Sequence, residues 1–155
     1  SSECCGNAKL NLDKVVEVIR YFANSMKIKA LYKVKLMKML WYADALSYKR
    51  YGHSMTGMVY KALPMGAVPL QYDLINDLKC VAYEEVDFAE SSGYHFIPTA
   101  NKEYAHLCED DLNVLDKIIE IFPKVADSVI KIIFFIIHLL TYILPTSYIN
   151  INIIK

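Results

Sequence analysis

The sequence predicts a mainly α-helical domain with a small antiparallel β component, an α+β class in which a compact helical body carries short β-hairpins. Three observations predict it. Four stretches repeat apolar residues at helical spacing, and between them lie segments rich in β-branched and aromatic residues, bounded by Gly, Pro or Ser. The chain has 155 residues, the size of one ordinary domain with a single core.

Residues 1–10 have no apolar period and hold Gly6-Asn7, so they are expected as a linker or frayed terminus without a packing role. Asn11 suits a helix N-cap and Asp13 the first turn, and Leu12, Val15, Val16, Ile19, Phe22 and Ala23 form the stripe of a first helix. Ser25 to Tyr32 connects it to a second helix, from Lys33 to about Lys49, with a broad apolar side of Leu36, Met37, Leu40, Trp41, Ala43, Ala45 and Tyr48. Lys35, Lys38, Lys49 and Arg50 are expected to carry charge elsewhere on it. Asp44 falls on the apolar side, where an unpaired carboxylate is costly, so it is expected to find a partner. Two readings of Asp44 stand: a structural hydrogen bond, for example to a tyrosine hydroxyl, or a direct role in binding.

Tyr51-Gly52 is expected to close the helix, with Gly52 in the left-handed cap conformation. Met55 to Leu63 suits a strand or hairpin arm, and Pro64, Gly66 and Pro69 restrict the turn after it. Pro69 is placed in the first turn of a third helix, Leu70 to Leu78, burying Leu70, Leu74, Ile75 and Leu78. Two extended segments follow, Cys80 to Phe88 and Tyr94 to Pro98, with Glu90-Ser91-Ser92-Gly93 as their turn. Glu84, Glu85, Asp87 and Glu90 make this hairpin acidic, the mark of a solvated edge. Thr99 to Leu107 is a polar connection. Glu109 to Phe122 is a fourth helix, with Asp110 and Asp111 at its positive end and Leu112, Leu115, Ile118, Ile119 and Phe122 as its stripe. Pro123 ends the pattern, and residues 123–155 form an atypical apolar tail. Its unbroken apolar run, Ile132 to Leu144, is 13 residues, short of the roughly 20 that span a bilayer. A membrane segment, a buried core helix and a frameshifted ending are all open readings of it.

The 17 basic and 17 acidic residues cancel, so no electrostatic footprint for nucleic acid is expected of this chain alone. Cys4, Cys5, Cys80 and Cys108 lack metal-ligand spacing and are read as reduced thiols. With a polar start and no secretory pattern, a cytoplasmic location is expected. A chain opening on Ser1 is expected to be processed, or cut from something longer that carries an upstream domain. His53, His95, His106 and His138 have no partners at ligand spacing, and the five glycines form no phosphate loop. No enzyme activity, metal or cofactor is expected. The Tyr48 to Tyr51 stretch is open to contact with a phosphate or base, or is a solvated helix end.

Taken whole, KLMKMLWYADALSYKRYG followed by TGMVYKALPMGAVPLQYD resembles the Panacea domain, the SocA-like antitoxin domain of bacterial and phage toxin–antitoxin modules. The positions that carry the resemblance are Lys35, Leu36, Lys38, Met39, Leu40, Tyr42, Ala43, Tyr51, Gly52, Ala62, Gly66, Val68 and Pro69. It runs from about Asn11 to Phe122 and gives a domain of 11–122. The resemblance implies a non-enzymatic antitoxin that neutralises a cognate toxin by direct binding, with presentation of the toxin to a bacterial protease as one route. Trp41, Tyr42, Asp44, Tyr48, Tyr51 and Tyr60 are the expected partner-binding pool, since aromatic anchors dominate interface energies, although Trp41 also suits the core. Two other readings stand beside it: a regulator fragment without its upstream helix-turn-helix domain, and a small membrane-associated protein built on 132–144. The sequence leaves the oligomeric state open.

Overall fold

The computed structural model describes residues 6–63, 66–89, 91–124 and 153–154. Helix α1 (Leu12–Asn24) and helix α2 (Lys33–Tyr51) lead into a hairpin of β1 (Tyr60–Leu63) and β2 (Gly66–Pro69). A 3-10 helix (Tyr72–Asp77) precedes a second hairpin, β3 (Tyr83–Phe88) and β4 (Ser91–Phe96). Helix α3 (Glu109–Ile121) runs into a 3-10 turn (Phe122–Lys124), and a two-residue β5 (Ile153–Ile154) pairs parallel with Tyr60 and Lys61 of β1. The class is α+β, mainly helical, as the sequence predicts.

Asn11 caps α1 as expected, its side-chain oxygen accepting from the Lys14 N–H at 3.0 Å. Gly52 ends α2 at φ +77°, in the left-handed region. The core joins Val15, Val18, Ile19 and Phe22 of α1 to Leu36, Met39, Leu40 and Ala43 of α2 and Val114, Leu115, Ile118 and Ile119 of α3. Each fully buried side chain of this size contributes about 1.5–3 kcal/mol of burial energy.

Helix α2 is central, packed against α1, α3, β2 and β4. That is why Lys38, expected on a solvated side, is only 8% exposed and Lys33 only 7%. Their stems lie along apolar surface. The Lys33 ammonium sits 4.1 Å from the Tyr72 ring centre and 5.4 Å from that of Tyr94, and burial pushes its pKa down against the opposing pull of Asp73 and Asp77.

The expected third helix is instead the six-residue 3-10 helix, and Pro69 closes β2 rather than opening a helix. The Leu70 N–H is held by the Val59 carbonyl at 2.9 Å, so the chain is still paired as a strand where a helix was expected to begin. Of the expected stripe, Ile75 is buried while Leu70 and Leu74 are exposed. Leu12 of α1 is likewise half exposed.

The second hairpin turns earlier than its composition suggests. Tyr83 pairs with Phe96 and Val86 with Gly93, which leaves residues 89 and 90 between the strands and places Ser91, Ser92 and Gly93 within β4. Gly93 serves packing rather than the turn: a Cβ there would lie 3.1 Å from the Phe88 ring.

The segment ahead of α1 is docked, not frayed, from Gly6 onward. The Ser54 N–H donates to the Gly6 carbonyl at 2.7 Å and the Asn11 N–H to the Thr56 carbonyl at 2.9 Å. The Asn7 side-chain amide reaches the Gly52 carbonyl at 3.2 Å. Gly57, at φ +71°, admits this strap because a Cβ there would fall 2.2 Å from the Lys9 carbonyl oxygen. The tail expectations, including 132–144, and Cys4, Cys5 and His138 lie outside the described residues. No helix among the described residues is long and apolar enough to cross a membrane.

Candidate functional site

The second half of α2 and the loop after it are joined by one buried carboxylate. Asp44 is fully buried and accepts from the Thr56 N–H at 2.8 Å, the Thr56 hydroxyl at 2.6 Å and the Tyr60 hydroxyl at 2.7 Å. Burial raises its pKa even though these bonds, with one from the Met55 backbone, favour the ionised form. Burial and the neighbouring carboxylate push the Tyr60 hydroxyl well up. Ser54 continues the network, its hydroxyl accepting from the Gly57 N–H at 3.0 Å. This arrangement pins a loop; it presents no nucleophile or acid to solvent. The structural reading of Asp44, a hydrogen bond to a tyrosine hydroxyl, is the one found.

The six residues expected to meet a partner divide by burial. Asp44 and Tyr60 have no exposed surface and Trp41 has 3%, because α2 is enclosed on most sides. They hold the fold together. Tyr42 is half-buried, edge-on to Trp41 at 5.1 Å and to Phe122 at 5.5 Å, with burial pushing its hydroxyl pKa up to about 12. Tyr48 is half-buried, and Tyr51 is exposed beside the His53 ring at 6.4 Å. Of the motif residues, Leu36 and Leu40 are core, and Gly52 is the cap. Lys35 reaches the Lys29 carbonyl at 3.4 Å, Ala62 pairs with Ala67, and Gly66 and Pro69 bound β2.

A cleft of about 460 Å3 opens between α2 and β2, lined by Val34 and Met37 on one side and by Ala67, Val68, Pro69 and Leu70 on the other, with Lys38, Lys61, Tyr72 and Asp73 around them. Sequence reasoning missed Val34 and Lys61 as site residues. The signal for Val34 is an apolar residue lying off the buried stripe of its helix. Another cleft, more open and about 750 Å3, lies where α1, the 99–107 segment and α3 meet. Tyr21 and Tyr104 line it, in edge-to-face contact at 5.1 Å, and the Tyr21 hydroxyl donates to Asp116 at 2.6 Å. Burial and that bond raise the Tyr21 pKa. The 99–107 segment is held by α1 through polar groups. Arg20 donates to the Asn101 and Glu103 carbonyls at 2.7 and 3.1 Å, and Glu17 accepts from the His106 N–H at 2.8 Å and meets its Nδ1 at 2.7 Å. Among the described residues, no group of three or more His, Cys, Asp or Glu side chains is placed to hold a metal ion.

Most of this central helix, capped by glycine, and the hairpin after it whose second strand ends in Pro69 lie within the part of the chain that matches a known family. Residues 36–134, more than half of the chain, match the family described as antitoxin SocA-like, Panacea domain. The chain belongs to that family. No curated protein and no solved structure matches it. The Panacea match begins at Leu36, inside α2, so Lys35 and α1 precede it. It takes in the Asp44 network, both hairpins and α3, and it continues past Phe122, where the sequence resemblance was expected to stop, to residue 134. Within the Panacea segment, the α2–β2 cleft draws one residue, Val34, from outside the match.

Proposed function

We propose that this chain is an antitoxin that sequesters a cognate toxin in the cytoplasm through direct protein–protein contact and catalyses no reaction. The observation that carries the reading is membership of the SocA-like antitoxin family over residues 36–134. The site chemistry supports it: the fully buried carboxylate, Asp44, is engaged by three donors within the fold rather than directed at a substrate. Helix α1 belongs to the same neutralising unit although it precedes the family match, since Val18 and Phe22 are wholly buried in the shared core. The accessible aromatic rings of α2, Tyr42, Tyr48 and Tyr51, are anchors for the toxin, and presentation to a protease is the route by which binding becomes removal.

Co-expression with the product of the adjacent reading frame tests this. Growth is expected to be restored and the two proteins to co-purify; a toxic product that is neither neutralised nor bound overturns the proposal. A shortened toxin lifetime on co-expression, lost in a protease-deficient host, identifies the protease route.

A further inference from the structure

The cleft of about 750 Å3 where α1, the 99–107 segment and α3 meet is lined by four cations, Lys27, Arg50, Lys102 and Lys117, and by two carboxylates, Asp116 and Glu120. This is a local excess of cations in a chain whose totals cancel. Both carboxylates are engaged within the fold. Asp116 accepts from the Tyr21 hydroxyl at 2.6 Å, and Glu120 meets the Lys117 ammonium at 3.2 Å. Lys27, Arg50 and Lys102 are exposed, and among the described residues their side chains make no hydrogen bond or ion pair. They come from the turn after α1, the last turn of α2 and the 99–107 segment, so the fold itself brings them to one concavity.

The wall that holds Lys102 is fixed in place. The Arg20 guanidinium bonds the Asn101 and Glu103 carbonyls on either side of it, at 2.7 and 3.1 Å. The Asn24 side-chain amide donates to the Tyr104 hydroxyl at 2.9 Å and accepts from the Thr99 N–H at 2.8 Å. A backbone tied at Thr99, Asn101 and Glu103 needs little further ordering when the side chain between them takes up a ligand. Met26, 95% exposed, lines the same cleft and adds a flexible apolar contact.

We infer that this cleft receives an acidic segment of the toxin, whose carboxylates are held by Lys27, Arg50 and Lys102 and whose neighbouring apolar side chain rests on Met26. The inference rests on the antitoxin reading and specifies the chemistry of the segment that is held. Arg50 presents a planar fork that takes a carboxylate through two bonds, and the two lysines supply rotatable donors beside it. Arg50 also adjoins Tyr51, the exposed ring at the end of α2, so cleft and anchor are continuous along the helix. A nucleic-acid strand fits less well. Its unbroken row of phosphates calls for a basic track, and this chain offers a bounded cleft and, elsewhere, a hairpin with exposed Glu84, Glu85 and Asp87. In a second copy that acidic hairpin has Glu84 held by His95 and Glu85 by Tyr94, which leaves Asp87 to meet three cations.

The test uses full-length chains and the purified product of the adjacent reading frame, with affinity read by calorimetry. A double variant, Lys27→Glu with Lys102→Glu, is expected to keep its melting curve and to bind about tenfold or more weakly at ~50 mM salt, the gap narrowing towards ~0.5 M as the charges are screened. An equal exchange at exposed residues outside the cleft, Lys9→Glu with Lys79→Glu, is expected to bind like the unaltered chain. Carbodiimide, which condenses an amine and a carboxylate in contact into an amide, is expected to join Lys27 or Lys102 to an Asp or Glu of the toxin in the wild-type complex. Should the cleft variant melt early, that cross-link decides. Full affinity of a folded cleft variant at low salt, with no such cross-link in the wild-type complex, overturns the inference and leaves the antitoxin reading intact. An unaltered chain that neither binds nor neutralises removes both. Salt-sensitive nucleic-acid binding that the cleft variant loses, with toxin affinity unchanged, assigns the cleft to a polyanion and overturns the inference. A wild-type oligomer that the cleft variant splits, with toxin affinity unchanged, assigns it to a second copy and overturns the inference equally.

Discussion

Replacing Asp44 with alanine tests the account of what holds α2 to the following loop. The carboxylate accepts three hydrogen bonds of 2.6–2.8 Å from Thr56 and Tyr60, both wholly buried. Alanine leaves the Thr56 N–H and the Tyr60 hydroxyl without their acceptor, and each stranded buried donor costs about 1–3 kcal/mol. Against this stands the relief of no longer burying an ionisable group, a cost whose direction the raised pKa shows. The net expectation is a loss of about 3 kcal/mol, which for a chain of this length lowers Tm by about 9 °C. Asp44→Asn is expected to lose about 1 kcal/mol or less, because its carbonyl can keep the Thr56 N–H and both hydroxyls can turn to accept from its amide. The pH dependence has a definite sign. A carboxyl whose folded pKa lies above its unfolded value contributes most when protonated in both states, and that contribution is lost as pH rises through the folded value. The advantage of the wild type over Asp44→Asn should therefore be largest under acid conditions and shrink on going towards neutral pH. Urea and thermal denaturation followed by circular dichroism measure both effects. An alanine variant within about 1 kcal/mol of wild type, or an asparagine variant worse than alanine, would refute the reasoning.

Two glycines with similar φ should respond differently to alanine. Gly52 has open space around its missing Cβ, so Gly52→Ala costs only the left-handed strain, about 1 kcal/mol, whereas Gly57→Ala also drives a Cβ into the Lys9 backbone and should cost about 3 kcal/mol or more; equal urea midpoints would contradict this. The hydrogen bond that the His106 ring makes to the Glu17 carboxylate is the first cause of its raised pKa, with the charges of Glu17 and Asp13 adding to it against some desolvation. That stabilisation is full below the ordinary histidine value and is lost as pH rises through the folded one, so the Tm gap between wild type and Glu17→Gln should narrow from about pH 6 upward. A gap that does not change with pH would count against the His106–Glu17 pair as its source.

Local signals in the sequence carried over well where one residue type has one geometric use. Asn11 capping α1, Gly52 ending α2 and the acidic first turn of α3 are such cases. The partner of Asp44 was legible for a different reason: a carboxylate on an apolar stripe must be satisfied, and hydroxyl-bearing residues lie close along the chain. What could not be read was set by backbone. Arg20 bonds carbonyls of residues 101 and 103, which every residue type provides, so no side-chain pattern announces the contact. Helical spacing at Leu70, Leu74, Ile75 and Leu78 misled because the preceding strand extends its pairing to Leu70 and only a short 3-10 turn fits after it. The aromatic residues of α2 looked alike in sequence, yet the enclosure of the helix by tertiary packing buries Trp41 and leaves Tyr51 open.

The strap ahead of α1 imposes a constraint of length rather than composition. The Gly6 and Asn11 backbone anchors on the 54–56 segment use groups that any residue carries, with the Asn7 amide as the side-chain tie, and Lys9 and Leu10 are exposed. Four residues, 7–10, separate those two anchors, and their spacing is fixed by the loop they grip. Side chains at residues 8–10 can therefore drift freely, whereas inserting or deleting one residue there would put one anchor out of register and lift the strap from Gly57. In a collection of variants, this segment should accumulate substitutions and resist changes in number, the reverse of what a free linker does.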